Sequence, residues 1–257
     1  MKQVLLEKHQ GYAIVSLNRP DHMNALSRQL RGDFVDAFAQ CAADDSIRVV
    51  IVTGIGKAFC AGFDLKELSS GATDNAAQEA DNKMARAMEQ FDGPIIAAVN
   101  GHAITGGFEL ALACDVLIAS ESARFADTHA RVGILPGWGL SQKLARMIGV
   151  SRAKELSLTG RPLFAAEAYE WGLVNHVLTA EDLMPKAVEM AEAMLACVPH
   201  IIVQYKKMID ESQNRALKEA LVWEEAIAIE SAQEAAAEMI NMRRKDVVDK
   251  GRTERDE

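Results

Sequence analysis

Apolar and polar positions alternate over "YAIVSLNRP" (residues 12–20), the pattern of a half-buried strand, and the alternation stops at Asn18-Arg19-Pro20. In "NALSRQLRGDFVDAFAQCAADD" (residues 24–45) apolar residues recur at helical spacing, so the first unit reads as strand, turn, helix. The second unit repeats it. "IRVVIVTG" is a β-branched strand buried on both faces, "IGKAFCAG" a glycine-containing loop, and "FDLKEL" the opening of a helix.

The small polar residues of "SSGATDNAAQEA" (69–80) read as a mobile surface loop of the kind that covers sites, ahead of a helix over 81–92. A buried strand follows over 94–101, then a glycine turn, a helix from Glu109 and a strand over 115–120. The rhythm continues with helices over 137–149 and 151–160 and a strand over 173–178. From Ala180 to about Lys250 the pattern is helical only, and the tail "RRKDVVDKGRTERDE" is highly charged and frayed or solvated at its end. The division expected is an α/β core over 1–195 and a helical section over 196–257, which covers its own core or packs on a neighbouring subunit. Units of about 45 residues suggest a spiral, without a clean internal repeat.

Composition narrows the function rather than the fold. With 49% apolar and 25% charged residues in 257, the chain is ordinary globular protein long enough for one large domain. Its net charge of −9 argues against a dedicated nucleic-acid binder, so an anionic ligand must be held locally. Cys41, Cys60, Cys114 and Cys197 lie far apart with no C-x-x-C pair, which suggests neither a disulfide framework nor a zinc site and points to a reducing cytoplasm. "MKQVLLEKHQ" is unlike a signal peptide and no apolar run reaches membrane-spanning length, so no membrane is expected. Dinucleotide, P-loop, nucleophile-elbow and zinc-protease motifs are missing, and the six histidines show no ligand spacing, so no metal is expected.

The chemistry is in two glycine turns. "FCAGFDL" and "AITGGFEL" both place glycines between a buried strand and a helix start, where the first backbone N–H groups lack intrahelical partners and attract negative charge. Converging, one N–H from each would form a donor pair for a developing oxyanion, with the carboxylate of Glu109 in reach to move protons. The plainer alternative is that the glycines serve tight packing and that Glu109 is an early-turn acid favoured by the helix dipole.

At this point the chain resembles the crotonase superfamily, the enoyl-CoA hydratase/isomerase family. The resemblance covers nearly its whole length through "NRPDHMNAL", "VVIVTGIGKAFCAGFDLKEL", "PIIAAVNGHAITGGFELALACDVLIAS", "FADTHARVGILPGWGLSQKL" and "EAYEWGLVNHV". It implies an α/β, crotonase-like (ClpP-like) spiral of ββα units with a helical C-terminal trimerisation region, assembled as a homotrimer or a dimer of trimers. It implies an acyl-coenzyme A substrate and no cofactor beyond that coenzyme A. The oxyanion-hole amides would fall on Phe63 and Gly106, and coenzyme A contacts on His22, Met23, Ala61, Gly62 and Asp64.

Hydratases of this family pair two glutamates twenty residues apart; the first is Glu109, but the second position holds His129. The expected reaction is reversible hydration of a trans-2-enoyl-CoA to a 3-hydroxyacyl-CoA, with Glu109 activating water and His129 as second acid/base, its pKa raised by Glu109. The alternatives are an isomerase using Glu109 alone, and a decarboxylase or C–C cleaving relative in which Arg131 and His129 recognise a polar acyl group. A non-catalytic acyl-CoA binding protein lies outside that class. Trp138, where such hydratases commonly carry a small residue, would narrow the acyl pocket or pack in the core.

Overall fold

The computed structural model describes residues 2–64, 66–67, 76–234 and 243–244, of which 76–82 and 233–234 are described as backbone only. The chain divides into two compact units, Met1–Val203 and Gln204–Glu257. The first contains every candidate site residue.

Its frame is a six-stranded sheet in the order β1 (Val4–Lys8), β2 (Tyr12–Leu17), β3 (Val49–Gly54), β5 (Ile95–Val99), β7 (Val116–Ser120), β10 (His176–Leu178). β1 and β2 form an antiparallel hairpin and every later pairing is parallel. Alternate residues of the central strands enter two different cores, as a strand's period of two demands when both faces are covered. Val50, Val52, Ala97, Val99, Leu117 and Ala119 face the main core; Val49, Ile51, Ile96, Ala98 and Ile118 face a second one.

The main core takes helix α1 (Arg28–Ala42), whose Leu30, Phe34, Phe38 and Cys41 are at most 1% exposed and follow one helical face. Ser27 caps it, its hydroxyl accepting the Leu30 N–H at 3.1 Å. Full burial of each large side chain contributes about 1.5–3 kcal/mol. The second core takes helix α8 (Leu183–Leu195), where Ala187 and Ala191 let the helix lie close against the sheet.

A second sheet of four short strands, in the order β4 (Ala58–Cys60), β6 (His102–Ile104), β8 (Arg124–Ala126), β9 (Leu163–Phe164), corrects the reading of "IGKAFCAG" and the following glycine turn as loops alone. Three-residue strands are too short to show a period. β3, β5 and β7 are each followed directly by a short strand in this sheet, which makes the ββα unit. β4, β6 and β8 run parallel, so their carboxyl ends emerge side by side. In parallel sheets that edge is where ligands bind.

The remaining helices of this unit are α2 (Ala76–Glu89), α3 (Gly106–Leu112), α4 (His129–Val132), α5 (Leu140–Ile148), α6 (Val150–Thr159), α7 (Ala165–Glu170) and the start of α9 (Pro199–Ser212). α2 starts inside the stretch read as a surface loop, and the rest of that stretch, with residues 65 and 68 of "FDLKEL", lies outside the described residues. In the second unit the rest of α9 is followed by α10 (Leu217–Glu234), on which Leu217, Leu221, Val222 and Ile229 are exposed. Among the described residues no single helix is long and apolar enough to cross a membrane.

Candidate active site

Three chain segments leave the carboxyl ends of β4, β6 and β8 and meet. After β4 comes Gly62, in the left-handed conformation at φ 83°. A Cβ there would lie 2.8 Å from the Ile104 carbonyl oxygen and 3.2 Å from the Gly106 nitrogen, so only glycine lets the two turns close on each other. Leu26 donates its N–H to the Gly62 carbonyl at 2.8 Å and forms a parallel bridge with Phe63, which turns the Phe63 N–H away from that pairing. Among the described residues the N–H groups of Phe63 and Gly106 donate no hydrogen bond. The turns that carry them are in van der Waals contact, and the Phe63 ring packs over Gly106.

α3 begins at Gly106, not at Glu109, which puts Glu109 in the first turn with its carboxylate only 3% exposed. Thr105, its N-cap, sits at φ 53°, ψ −111°, a region hostile to a β-branched side chain that costs about 1–3 kcal/mol. The Thr105 and Thr128 hydroxyls are paired, and the Thr128 N–H donates to Thr105 Oγ1 at 3.3 Å. That bridge joins the turn bearing the Gly106 amide to the segment bearing His129.

Glu109 is held at both oxygens. Oε1 accepts the Trp138 N–H at 2.8 Å and Oε2 lies 3.5 Å from His129 Nε2. The other ring nitrogen, Nδ1, lies 2.7 Å from Asp127 Oδ1, and all three side chains are at most 5% exposed. Burial opposes charge on the imidazole, but the Asp127 and Glu109 carboxylates outweigh it and push His129 up to about 9. Burial likewise opposes the Asp127 carboxylate, and its hydrogen bonds to His129 and Ser157 nevertheless hold it below the ordinary range. His129 therefore holds its proton at neutral pH between the Asp127 and Glu109 side chains, and Asp127 raises its pKa as well as the expected Glu109. Sequence reasoning missed Asp127, although an acid two residues before the histidine is a signal in the sequence.

The five residues expected to contact coenzyme A lie on two segments tied together, since Ala61 donates its N–H to the Met23 carbonyl at 3.0 Å. Buried Asn24 pins the turn that carries His22 and Met23, accepting the Arg19 N–H at 2.8 Å and donating to the Ile55 and Ala58 carbonyls at 3.0 and 2.7 Å. Asp64 is engaged by the Arg19 guanidinium at 2.6 Å, which holds its carboxyl below the usual range. Arg131 is exposed and turned to the end of α6, its Nε donating to the Thr159 carbonyl at 2.8 Å. Trp138 is 9% exposed with its ring in the main core, so its contact with Glu109 is through the backbone.

The sequence profile of the enoyl-CoA hydratase/isomerase family matches residues 7–246. An Arabidopsis thaliana protein named "Probable enoyl-CoA hydratase 1, peroxisomal" is 44% identical over 214 residues, 83% of this chain and 80% of its own. The solved structure of an enoyl-CoA hydratase from Bacillus anthracis superposes with a TM-score of 0.86 at 37% identity, covering 94% of this chain and 95% of that one. A monofunctional enoyl CoA isomerase from M. smegmatis superposes with a TM-score of 0.75 at 36% identity, covering 86% and 98%. Profile, relatives and ββα architecture agree: the chain belongs to the enoyl-CoA hydratase/isomerase family, within the crotonase superfamily.

Proposed function

We propose that the protein catalyses the reversible hydration of a trans-2-enoyl-CoA to a 3-hydroxyacyl-CoA. The observation that carries this reading is the buried contact between Glu109 and His129 beside the Phe63 and Gly106 amides, which donate no hydrogen bond among the described residues. The amides hold the thioester oxygen as it gains charge. Glu109, fixed by the Trp138 N–H, takes a proton from water as the oxygen bonds to the β-carbon. The His129 imidazolium gives its Nε2 proton to the α-carbon of the resulting enolate. A proton then passes from Glu109 to His129 across their contact, restoring both groups with water added overall.

An isomerase needs one group to move a proton between two carbons, so it gives no use to a second charged group at His129. The assembly we propose is a homotrimer or a dimer of trimers in the cytoplasm. It is supported by the exposed apolar side chains of α10, which suit a subunit contact, and by the scattered cysteines, which suit a reducing compartment. The reading requires nothing beyond the coenzyme A of the substrate, because amides, Glu109 and His129 supply every step. The test is product mass: crotonyl-CoA should gain the mass of one water, and a positional isomer of unchanged mass from a 3-enoyl-CoA, with no hydration, would refute it.

A further inference from the structure

Resting on that reading, we propose that Asp127 is the positioning residue of the site, fixing the Nδ1 edge of His129 so that Nε2 carries its proton toward Glu109. One oxygen of Asp127 receives both the ring Nδ1, at 2.7 Å, and the backbone N–H of His129, at 3.1 Å. The ring is thereby tied to its own main chain at two points and held in one orientation. With an anionic oxygen at 2.7 Å the hydrogen belongs on Nδ1, so a neutral His129 would expose a bare Nε2 able to accept the returning proton.

The clamp is anchored independently of the substrate. Asp127 follows β8 directly, and the neighbouring strand β6 leads into Gly106, with the Thr105 N–H donating to the Ala126 carbonyl at 2.8 Å. The same strand pair therefore sets the distance between amide donor and imidazole. The groups facing the pair are Glu109 from α3 and the Ser157 hydroxyl from α6, while Arg131 on α4 turns away to Thr159. A carboxylate only 3% exposed is costly unless paired, and the charge of His129 is its partner. The elevation of His129 to about 9 is in accord with this arrangement.

The test uses the whole protein labelled with ¹⁵N-histidine, with His129→Gln identifying the His129 signals. In the wild type, Nδ1 should be protonated throughout and the ring should titrate well above the ordinary 6.5; a midpoint at or below that value would overturn the proposal. Asp127→Asn keeps an oxygen for the backbone N–H, removes the charge and turns the other carboxylate oxygen into an NH2 donor. It should lower the His129 midpoint by about one pH unit or more. With crotonyl-CoA, kcat should fall by up to ~100-fold with little change in KM, and its alkaline limb should shift down by the same interval. An unmoved midpoint and limb would leave Asp127 as a turn former only. The NMR titration holds even if wild-type protein does not hydrate crotonyl-CoA, so loss of the hydratase reading and loss of the clamp are separately visible.

Discussion

The His129 imidazolium makes folding depend on pH in a direction that follows from its surroundings. Its folded pKa of about 9 lies above the ordinary 6.5, so the proton is bound more tightly in the folded state and stabilises it. That stabilisation is fully present below about pH 6.5 and is lost as pH rises through about 9. At about 1.4 kcal/mol per unit the interval corresponds to roughly 3 kcal/mol, a large fraction of ordinary domain stability. His129→Gln removes the titrating group without adding bulk. Urea unfolding of both proteins at fixed concentration, at steps from pH 6 to pH 10, should show the wild-type advantage shrinking by about 3 kcal/mol. Ionisation of the buried Cys41 and Cys60 thiols, pushed up to about 11 and 12, is common to both proteins and cancels. A stability difference flat across that range would refute the account of His129 as a cation between Asp127 and Glu109.

Two further substitutions separate positions that matter from positions that only looked promising. Asn24→Ala leaves the Arg19 N–H and the Ile55 carbonyl without this partner and the Ala58 carbonyl with only the longer bond from Asn100 Nδ2 at 3.4 Å, and should cost about 2–4 kcal/mol in urea unfolding; a loss under about 1 kcal/mol would contradict its role as the pin of that turn. Arg131→Ala should leave kcat/KM for crotonyl-CoA within about twofold, since the side chain is exposed and bonded to Thr159, and a tenfold fall would return Arg131 to the acyl pocket.

How much of this was legible in the sequence follows from the length scale of each signal. The β-branched runs of β3 and β5 and the apolar face of α1 extend over five or more residues, enough for a period to show. β4, β6 and β8, with three residues each, declare themselves only through their neighbours, yet their carboxyl ends build the site. Glu109, His129 and the two glycine turns could be named because carboxylate, imidazole and glycine each have a chemical or conformational signature. The start of α3 at Gly106 was obscured because the glycines that permit the turn are themselves poor helix formers. Asn24 and Arg19 act through partners fixed by the fold, and nothing in their immediate sequence states which atoms those are, whereas Asp127 stands two residues from its partner His129 and was open to sequence reasoning. Trp138 invited a reading from its ring, whereas the contact to Glu109 is made by its N–H, which any residue but proline would supply.

The central claim is that Glu109, beside the Phe63 and Gly106 amides, drives addition of water to a conjugated thioester. The most direct measurement is the loss of enoyl-thioester absorbance when purified protein meets crotonyl-CoA, with Glu109→Gln as the control. The account predicts rapid loss in the wild type and a rate lower by about 10²–10⁴-fold in the variant. Equal rates in the two proteins, or no loss in either, would contradict it.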